Sequence, residues 1–539
     1  MDVTCVIGHF GRYQAVLLLL VFVVTFPVTF IFFTTPFFDI QVDRWCMQHR
    51  FQNSAWSFGV LEDDASNVSN VEVFKCFSGM LKLQESNESV DTAPEAEISS
   101  CGGYENWEPL VRQPAAICED LWVQSAQQVA LLLAVSSGYL VFGVCSDMFG
   151  RKRSLLVSLL LCSVSSLAAA VAPASWLFHM TRFLACMAAA GLSLGTIVLC
   201  SETVGRKQRC LLMFALGAGF AIANISFQTL TRYTSNWWYL QLSSGIVVLA
   251  ALPLVWFAKE SPRWLVATGR LSRAEETLLH ILKVNRGPQL YMEIIMLELV
   301  DKVSVDFSKP RQQRRDRLVF RSRHLHLFIL FISAAAVLVL RQSNPVAASR
   351  LQKRVTAQLW GIDVSLVIQA PVSMLFYWMA VRFKRRCTLS SLFAFLSLVY
   401  ICGLCLPQGS NPISTALPLL VKVLTSYHTV FLWIAAIELF PTTSRGLGVG
   451  SCWACAHLVL VCAPAIGMTS VSEPDPTLAC VLLTATALVC AALALLLPIT
   501  YSRVLPDTYQ ELHQSQKNAS LLPDDEAKKS VTGKLLYGS

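Results

Sequence analysis

Runs of about twenty apolar residues recur along this chain, and that is the length a helix needs to cross the hydrocarbon of a bilayer. Twelve are read, at 14–36, 121–143, 154–173, 178–200, 211–231, 240–258, 326–341, 356–380, 387–406, 414–437, 446–468 and 477–498. Composition fits no soluble alternative: 54% of the 539 residues are hydrophobic and 14% charged, where a globular domain carries about a quarter charged. Too few polar residues remain to coat a soluble particle. The first run is too long and too poorly flanked for a cleaved signal peptide and reads as a spanning helix. The seventh is the weakest, since Arg341 interrupts its outer end. The expected fold class is an all-α membrane protein with twelve transmembrane helices.

Lys and Arg placement orients the spans. Basic clusters fall at Arg151–Arg153, Arg206–Arg209, Arg311–Arg323 and Arg382–Arg386, each between an even-numbered span and the next odd one. The long segment after the first span is instead acidic, with Asp63, Asp64, Glu85, Glu88, Asp91, Glu95 and Glu97. Both termini and the basic loops are therefore expected in the cytoplasm and the acidic loop outside. The net charge of +8 does not call for nucleic acid, because its basic residues sit in short clusters between spans. The acidic loop holds Cys46, Cys76, Cys101 and Cys118, an even number suited to disulfides, and the glycosylation acceptors Asn67 and Asn87. A third sequon, at Asn518, falls in the tail and is expected to stay unmodified, and another, at Asn224, lies inside a span. The remaining cysteines, mostly in spans, read as small packing residues.

A polar stretch at 259–325 divides the chain into residues 1–258, with the outer loop at 38–120, and 326–501, followed by a tail at 502–539. Within the stretch, LSRAEETLLHIL predicts an amphipathic helix capped by Ser272 and Glu275, with Leu278, Leu279, Ile281 and Leu282 on its apolar face. The halves echo each other. DMFGRKR follows the second span and VRFKRR the eighth, while Glu202 precedes Arg209 by the same seven residues that separate Glu438 from Arg445. Two six-helix pseudo-repeats are how transporters rock one bundle against another around a central site. Gly143, Asp147, Gly150, Arg151, Lys152, Glu202, Arg209, Glu438 and Arg445 are thus candidates for a conformational latch, the glycines for turns and close helix approach. The plainer reading is that such charges only mark topology.

These residues resemble the major facilitator superfamily and, within it, the organic cation/anion transporter family (solute carrier family 22). The similarity rests on GHFGRYQ (8–14), the long cysteine-bearing outer loop, GVCSDMFGRKR, ESPRWLVATGR (260–270), IELFPTTSRGLGVG (437–450) and LLPITYSRVLPDT (496–508), in order and at matching topological positions. Sugar porters share the ESPRWL and loop motifs but have a short first outer loop, whereas this one spans roughly 85 residues. The resemblance implies the major facilitator fold, a small organic ion as substrate, a monomeric transport unit and a plasma-membrane location. Departures are also informative. Met148 and Cys145 replace the usual basic and aliphatic residues, Trp238 replaces an Arg, and Ile499 replaces a Glu. Val381 stands for the acid and Lys384 for the glycine of the second latch copy, which is expected to lack its anionic partner. Ala456 fills the position at which the resemblance implies Asp in cation carriers and Arg in anion carriers.

Ionisable groups inside spans are expensive and mark pathways by default. Lys422, His428, His457 and Arg182, with Ala456, are the substrate-path candidates. The histidines also fit ordinary packing, and Asp363 and Arg341 are placed to pair with each other near the outer side. Phe220, Phe227, Tyr427, Trp433 and Trp360 are candidate cavity aromatics. The deep candidates carry a positive surplus with no midplane carboxylate, a lean toward organic anions. No metal spacing, phosphate loop or nucleophile elbow occurs, so no metal, cofactor or enzymatic activity is expected; the partners are a small organic ion and the lipid bilayer. The alternative is a transport-compromised member acting as a receptor, suggested by the altered second copy and the missing charge at Ala456.

Overall fold

The computed structural model describes residues 10–32, 121–172, 175–205, 208–233, 237–286, 327, 329–336, 358–359, 362–383, 385–405, 412–462 and 476–497. Cys46, Cys76, Cys101, Cys118, Asn67, Asn87, Trp360, Arg341, Lys384 and Ile499 lie outside them. In chain order the helices are α1 Arg12–Phe32, α2 Leu121–Phe149, α3 Arg151–Ala170, α4 Ser175–Thr203, α5 Cys210–Tyr233, α6 Trp237–Ala250, α7 Leu252–Phe257, α8 Pro262–Ala267 and α9 Leu271–Asn285. Residues 329–336 form α10. There follow a two-residue antiparallel pair, β1 Gln358–Leu359 with β2 Ile362–Asp363, then α11 Val364–Arg382, α12 Arg385–Cys405, α13 Pro412–Leu439, α14 Arg445–Leu460 and α15 Pro476–Leu496. Eight helices among the described residues are long and apolar enough to span a membrane: α1 to α5, α6 with α7 as one unit, α12 and α13.

The helices are sorted by what each face meets. On α3, Ser154, Ser158, Cys162, Ser165 and Ser166 are buried while Val157, Leu160 and Val164 are exposed. Small polar faces let backbones approach where lipid offers no hydrophobic drive to associate, and exposed valine and leucine match the acyl chains. The buried face of α3 packs on α4, with Cys162 Sγ 3.9 Å from the Ala185 carbonyl.

The eighth expected span, at 356–380, is helical only from Val364, its start being taken by β1 and β2, and the elements differ from the sequence reading at three further places. First, α2 continues six residues beyond the expected end at 143 and carries Asp147 in its last turn. Only Gly150 separates it from α3, so the charged stretch is two abutting helix ends rather than a loop. Gly150 sits at φ 114°, and a Cβ there would lie 2.5 Å from Glu260 Oε2; conformation and space both demand glycine. Second, the sixth span pauses at Ala251, with Pro253 in the first turn of α7. Third, Ser272 does not cap α9. The helix begins at Leu271 with Arg270 at the N-cap and no side-chain cap bond, because α8 closes directly into it through Arg270 N–H to the Leu265 carbonyl at 2.9 Å. Ala274, Thr277, Leu278, Ile281 and Leu282 are buried, while Leu279 packs only partly buried at the margin.

The opening motif has a mechanical role in this arrangement. Tyr13 N–H donates to Asn285 Oδ1 at 3.0 Å, and Asn285 Nδ2 donates to Gln14 Oε1 at 2.9 Å. The Tyr13 hydroxyl accepts from Lys259 N–H at 2.9 Å. These bonds fasten α9 and the end of α7 to the start of α1, within one half.

Candidate functional site

The latch candidates converge where the basic loops meet the bundle. Arg151 is fully buried and lies between two carboxylates, donating Nη1 to Asp147 Oδ1 at 2.5 Å and Nη2 to Glu202 Oε1 at 3.2 Å. Its remaining donors reach the Ser146 carbonyl at 2.8 Å and, in the other half, the Thr442 carbonyl at 2.7 Å. Arg445 of the second half donates to Glu202 at 2.7 Å, and its Nε bonds the Ile437 and Phe440 carbonyls at 3.1 and 3.2 Å. Asp147 in turn accepts the N–H groups of Gly446 at 3.0 Å and Leu447 at 2.7 Å. It therefore caps α14 from the opposite half, where a carboxylate at a helix N-terminus is favoured.

The second half repeats the pattern with the halves exchanged. Glu438 accepts from Arg209 of the first half at 3.0 Å and from Arg385 of its own half. Arg385 begins α12 as Arg151 begins α3, so each half's glutamate is bridged by its own helix-start arginine and by the other half's arginine. This corrects the expectation that the second copy lacks an anionic partner. Val381 does replace the acid, but Glu438 serves the arginine. What the substitution leaves is imbalance: Asp147, Glu202, Arg151 and Arg445 sum to zero, whereas Glu438, Arg209 and Arg385 sum to +1. In this cluster Nε and Nη2 of Arg209, Nε of Arg385 and Oε2 of Glu438 are all buried with no bond, and burial, with Arg385 and Arg263 nearby, lowers the Arg209 guanidinium to about 10 despite Glu438.

Two helix seams carry these pairs. At α2 against α14, a Cβ on Gly446 would lie 2.7 Å from the Gly143 carbonyl, and one on Gly143 would lie 2.8 Å from that of Gly446. Only glycine permits this approach. Ser136 Oγ donates to the Ala454 carbonyl at 3.1 Å on the same seam. At α5 against α11, Cys210 Sγ reaches the Ala380 carbonyl at 3.6 Å, and Phe214 meets Tyr377 edge-on at 6.4 Å. The basic face is closed.

Glu260 and Trp264 support the network from below. Glu260 accepts the N–H groups of Arg151 at 2.7 Å and Lys152 at 3.1 Å, capping α3, and Trp264 Nε1 donates to the Asp147 carbonyl at 3.1 Å. Burial raises the Glu260 carboxyl above its ordinary range, against the pull of these N–H groups. Lys152 stands aside from the inter-half pairs, its Nζ on the Trp256 carbonyl at 3.1 Å. The ESPRWL motif is thus the floor of the latch, which sequence reading used only for recognition.

The substrate-path candidates separate. The His457 ring lies 5.3 Å from Tyr139 across the α2–α14 seam, with Nδ1 on the Trp453 carbonyl at 2.8 Å. Trp433 stacks on Trp453 at 4.6 Å and meets Tyr139 at 5.9 Å, while Phe331 of α10 closes the group edge-on against Trp453 at 5.1 Å. Ala456, one residue round the helix, is buried at 5% exposure in the core. His428 packs on Phe393 of α12 at 5.2 Å, inside one half. Lys422 is partly buried on α13. Arg182 is buried with its guanidinium 5.5 Å from the Phe178 ring. Among the aromatic candidates, Phe227 pairs with Phe30 at 5.3 Å within the first half, and Tyr427 stacks on Phe376 at 4.1 Å in the second. Tyr139 and Trp453 were not singled out by sequence. No local signal distinguishes an aromatic on a seam from one in a core.

Two helical bundles meeting at glycine-lined seams, with charges exchanged at one face, define a two-bundle membrane carrier. The chain belongs to the Sugar (and other) transporter family, which it matches over residues 82–508, and thus to the major facilitator superfamily. It is 25% identical over 533 residues to solute carrier family 22 member 13 of Homo sapiens, covering 95% of this chain and 93% of that protein. It is 24% identical to solute carrier family 22 member 3 of Mus musculus, covering 94% of each. To organic anion transporter 3 of Sus scrofa it is 26% identical, covering 78% of this chain and 77% of that protein. The fold is that of the proton:xylose symporter XylE, with a TM-score of 0.57 at 16% identity, covering 75% of this chain and 91% of that structure. The human organic anion transporter MFSD10 matches at a TM-score of 0.50 and 12% identity, covering 89% and 99%. The chain is a multi-pass membrane transporter, not an enzyme.

Proposed function

We propose that this protein carries small organic ions across the plasma membrane by alternating access, as a monomer, with the basic face and both termini in the cytoplasm. The observation that carries this reading is the exchange at the basic face, where Glu202 bonds Arg445 and Glu438 bonds Arg209. Burying such charges costs several kcal/mol per ion and their attraction returns about as much. When the halves part, water replaces the lost partners, so the bonds close this face without making it irreversible. Here the latch is engaged, so in this reading substrate enters from the other face.

Organic anions are the preferred cargo in this reading. Lys422 and His457 supply positive or donor groups along the proposed path, and the rings of Tyr139, Trp433 and Trp453 cluster beside His457, the aromatic lining that ligand sites favour. The name of the relative in Sus scrofa points the same way. A receptor role loses one of its two supports, since the second copy retains a paired glutamate.

The test is uptake of labelled organic anions and cations, side by side, into liposomes holding the purified chain. Anion uptake is expected to exceed cation uptake, and Lys422→Gln to lower it at equal protein incorporation. Cation uptake that dominates and survives Lys422→Gln would overturn the anion assignment. Absence of any uptake from either face would overturn the carrier reading in favour of a receptor.

A further inference from the structure

Three arginines on the basic face stand outside the network between the halves. Arg153 on the first turn of α3, with Arg270 and Arg273 at the start of α9, lines an open cleft of about 450 Å³ together with Ser272. All three are exposed. Among the described residues none of them is ion-paired, whereas the network arginines are each buried against a carboxylate. The guanidinium of Arg270 lies 5.0 Å from the Trp264 ring, which holds it over α8. Glu275 and Glu276, exposed on the next turn of α9, pair with none of the three.

The convergence is fixed by folding. Leu278, Ile281 and Leu282 bury one face of α9, and Asn285 ties its far end to α1. The cationic side chains at its start are thereby held opposite α3 without a counter-ion among the described residues, and like charges held close repel. The resulting charge of +3 calls for an anion with more than one charge and several acceptor oxygens. A phosphate monoester carries about −1.5 to −2 and three acceptor oxygens, which planar guanidinium forks bind in pairs. A lone carboxylate offers one charge and two oxygens. Arg153 is the third residue of a membrane-spanning helix, so the cleft lies at headgroup depth.

We propose that the cleft of Arg153, Arg270, Ser272 and Arg273 binds a phosphate-bearing anion at the membrane surface, carried on a lipid headgroup or on a soluble polyphosphate. Arg153 belongs to the first half, and Arg270, Ser272 and Arg273 to the connecting stretch that Asn285 fastens to it, so the cleft uses none of the pairs between the halves.

The experiment measures binding of three probes to the purified full chain in detergent micelles: a short-chain phosphatidylinositol bisphosphate, free inositol trisphosphate, and short-chain phosphatidylserine. Each basic residue near an anionic surface is worth about fivefold in affinity. The double substitution Arg153→Gln with Arg273→Gln is therefore expected to weaken binding about thirtyfold, and Arg273→Gln alone about fivefold. Arg382→Gln, an exposed arginine of the other half, is expected to leave affinity unchanged. Comparable binding of the lipid and the free headgroup assigns a soluble ligand, and binding of the lipid alone assigns a membrane one; either supports the site. Binding of neither phosphate probe, equal binding of phosphatidylserine, or an equal loss in Arg382→Gln would overturn it. Cys162, fully buried inside the same half, is expected to stay unreactive to thiol reagents in every variant, which separates lost binding from lost folding.

Discussion

Arg445 reaches across the bundle to Glu202, 243 positions away in the chain, and closes on it at 2.7 Å with both side chains fully buried. Its counterpart runs in the opposite direction, from Arg209 to Glu438 at 3.0 Å. Each half is thereby held by the other at the same face, through groups at helix ends that water can solvate once the seam opens.

Arg445→Gln is expected to loosen the closed state. A hydrogen bond to a charged partner is worth about 1.5–3 kcal/mol, enough to move the ratio of closed to open molecules about tenfold or more. Cys210 reports the change without an added label. It is 4% exposed and packed on the Ala380 carbonyl across the α5–α11 seam. Its reaction with a water-soluble thiol reagent, followed by peptide mass spectrometry, should accelerate about tenfold, while Cys162 stays unreactive. Unchanged labelling of Cys210 would show that this pair does not hold the face shut.

Glu438→Gln is expected to harm the protein more than Arg385→Gln. The first change strands two buried arginines at +2, and removing one partner of a buried pair costs about 3–5 kcal/mol. The second brings the cluster from +1 to neutral and leaves Glu438 with Arg209. Unfolding temperatures in detergent should fall by several degrees for the glutamate variant and by less for the arginine variant. The reverse order would show that Arg385, not Glu438, organises this cluster.

Glu260 provides a pH test. Its carboxyl is raised by burial, and a carboxyl whose folded pKa exceeds its unfolded value adds stability below the unfolded pKa. That contribution is lost as pH rises through the folded pKa. Glu260→Gln keeps an acceptor oxygen but cannot titrate. The advantage of wild type over this variant in unfolding temperature should therefore shrink as pH rises from about 4 toward neutrality. An advantage that grows over that interval would mean the carboxylate is stabilised rather than strained by its burial.

Sequence by itself determined the membrane class and the family fold, and pointed to most of the charges at the basic face, though not to Arg385. Those properties are written locally: a run of about twenty apolar residues inserts wherever it occurs, and the seven-residue offset of Glu202 from Arg209 recurs at Glu438 and Arg445. Partnership is not local. Spacing pointed to helix-end charges that pair across the halves without saying which meets which, and Val381 suggested a copy without an acid; packing gives Arg209 to Glu438 and Arg445 to Glu202. The same limit hid Tyr139 and Trp453, since an aromatic in a span looks alike whether it faces its own bundle or the opposite one. It also misplaced the start of α9, where the tight exit from α8 overrode a capping pattern at Ser272. Only the tertiary structure decided these, because a buried charge or ring takes its partner from whatever helix packs against it, and that helix lies hundreds of residues away.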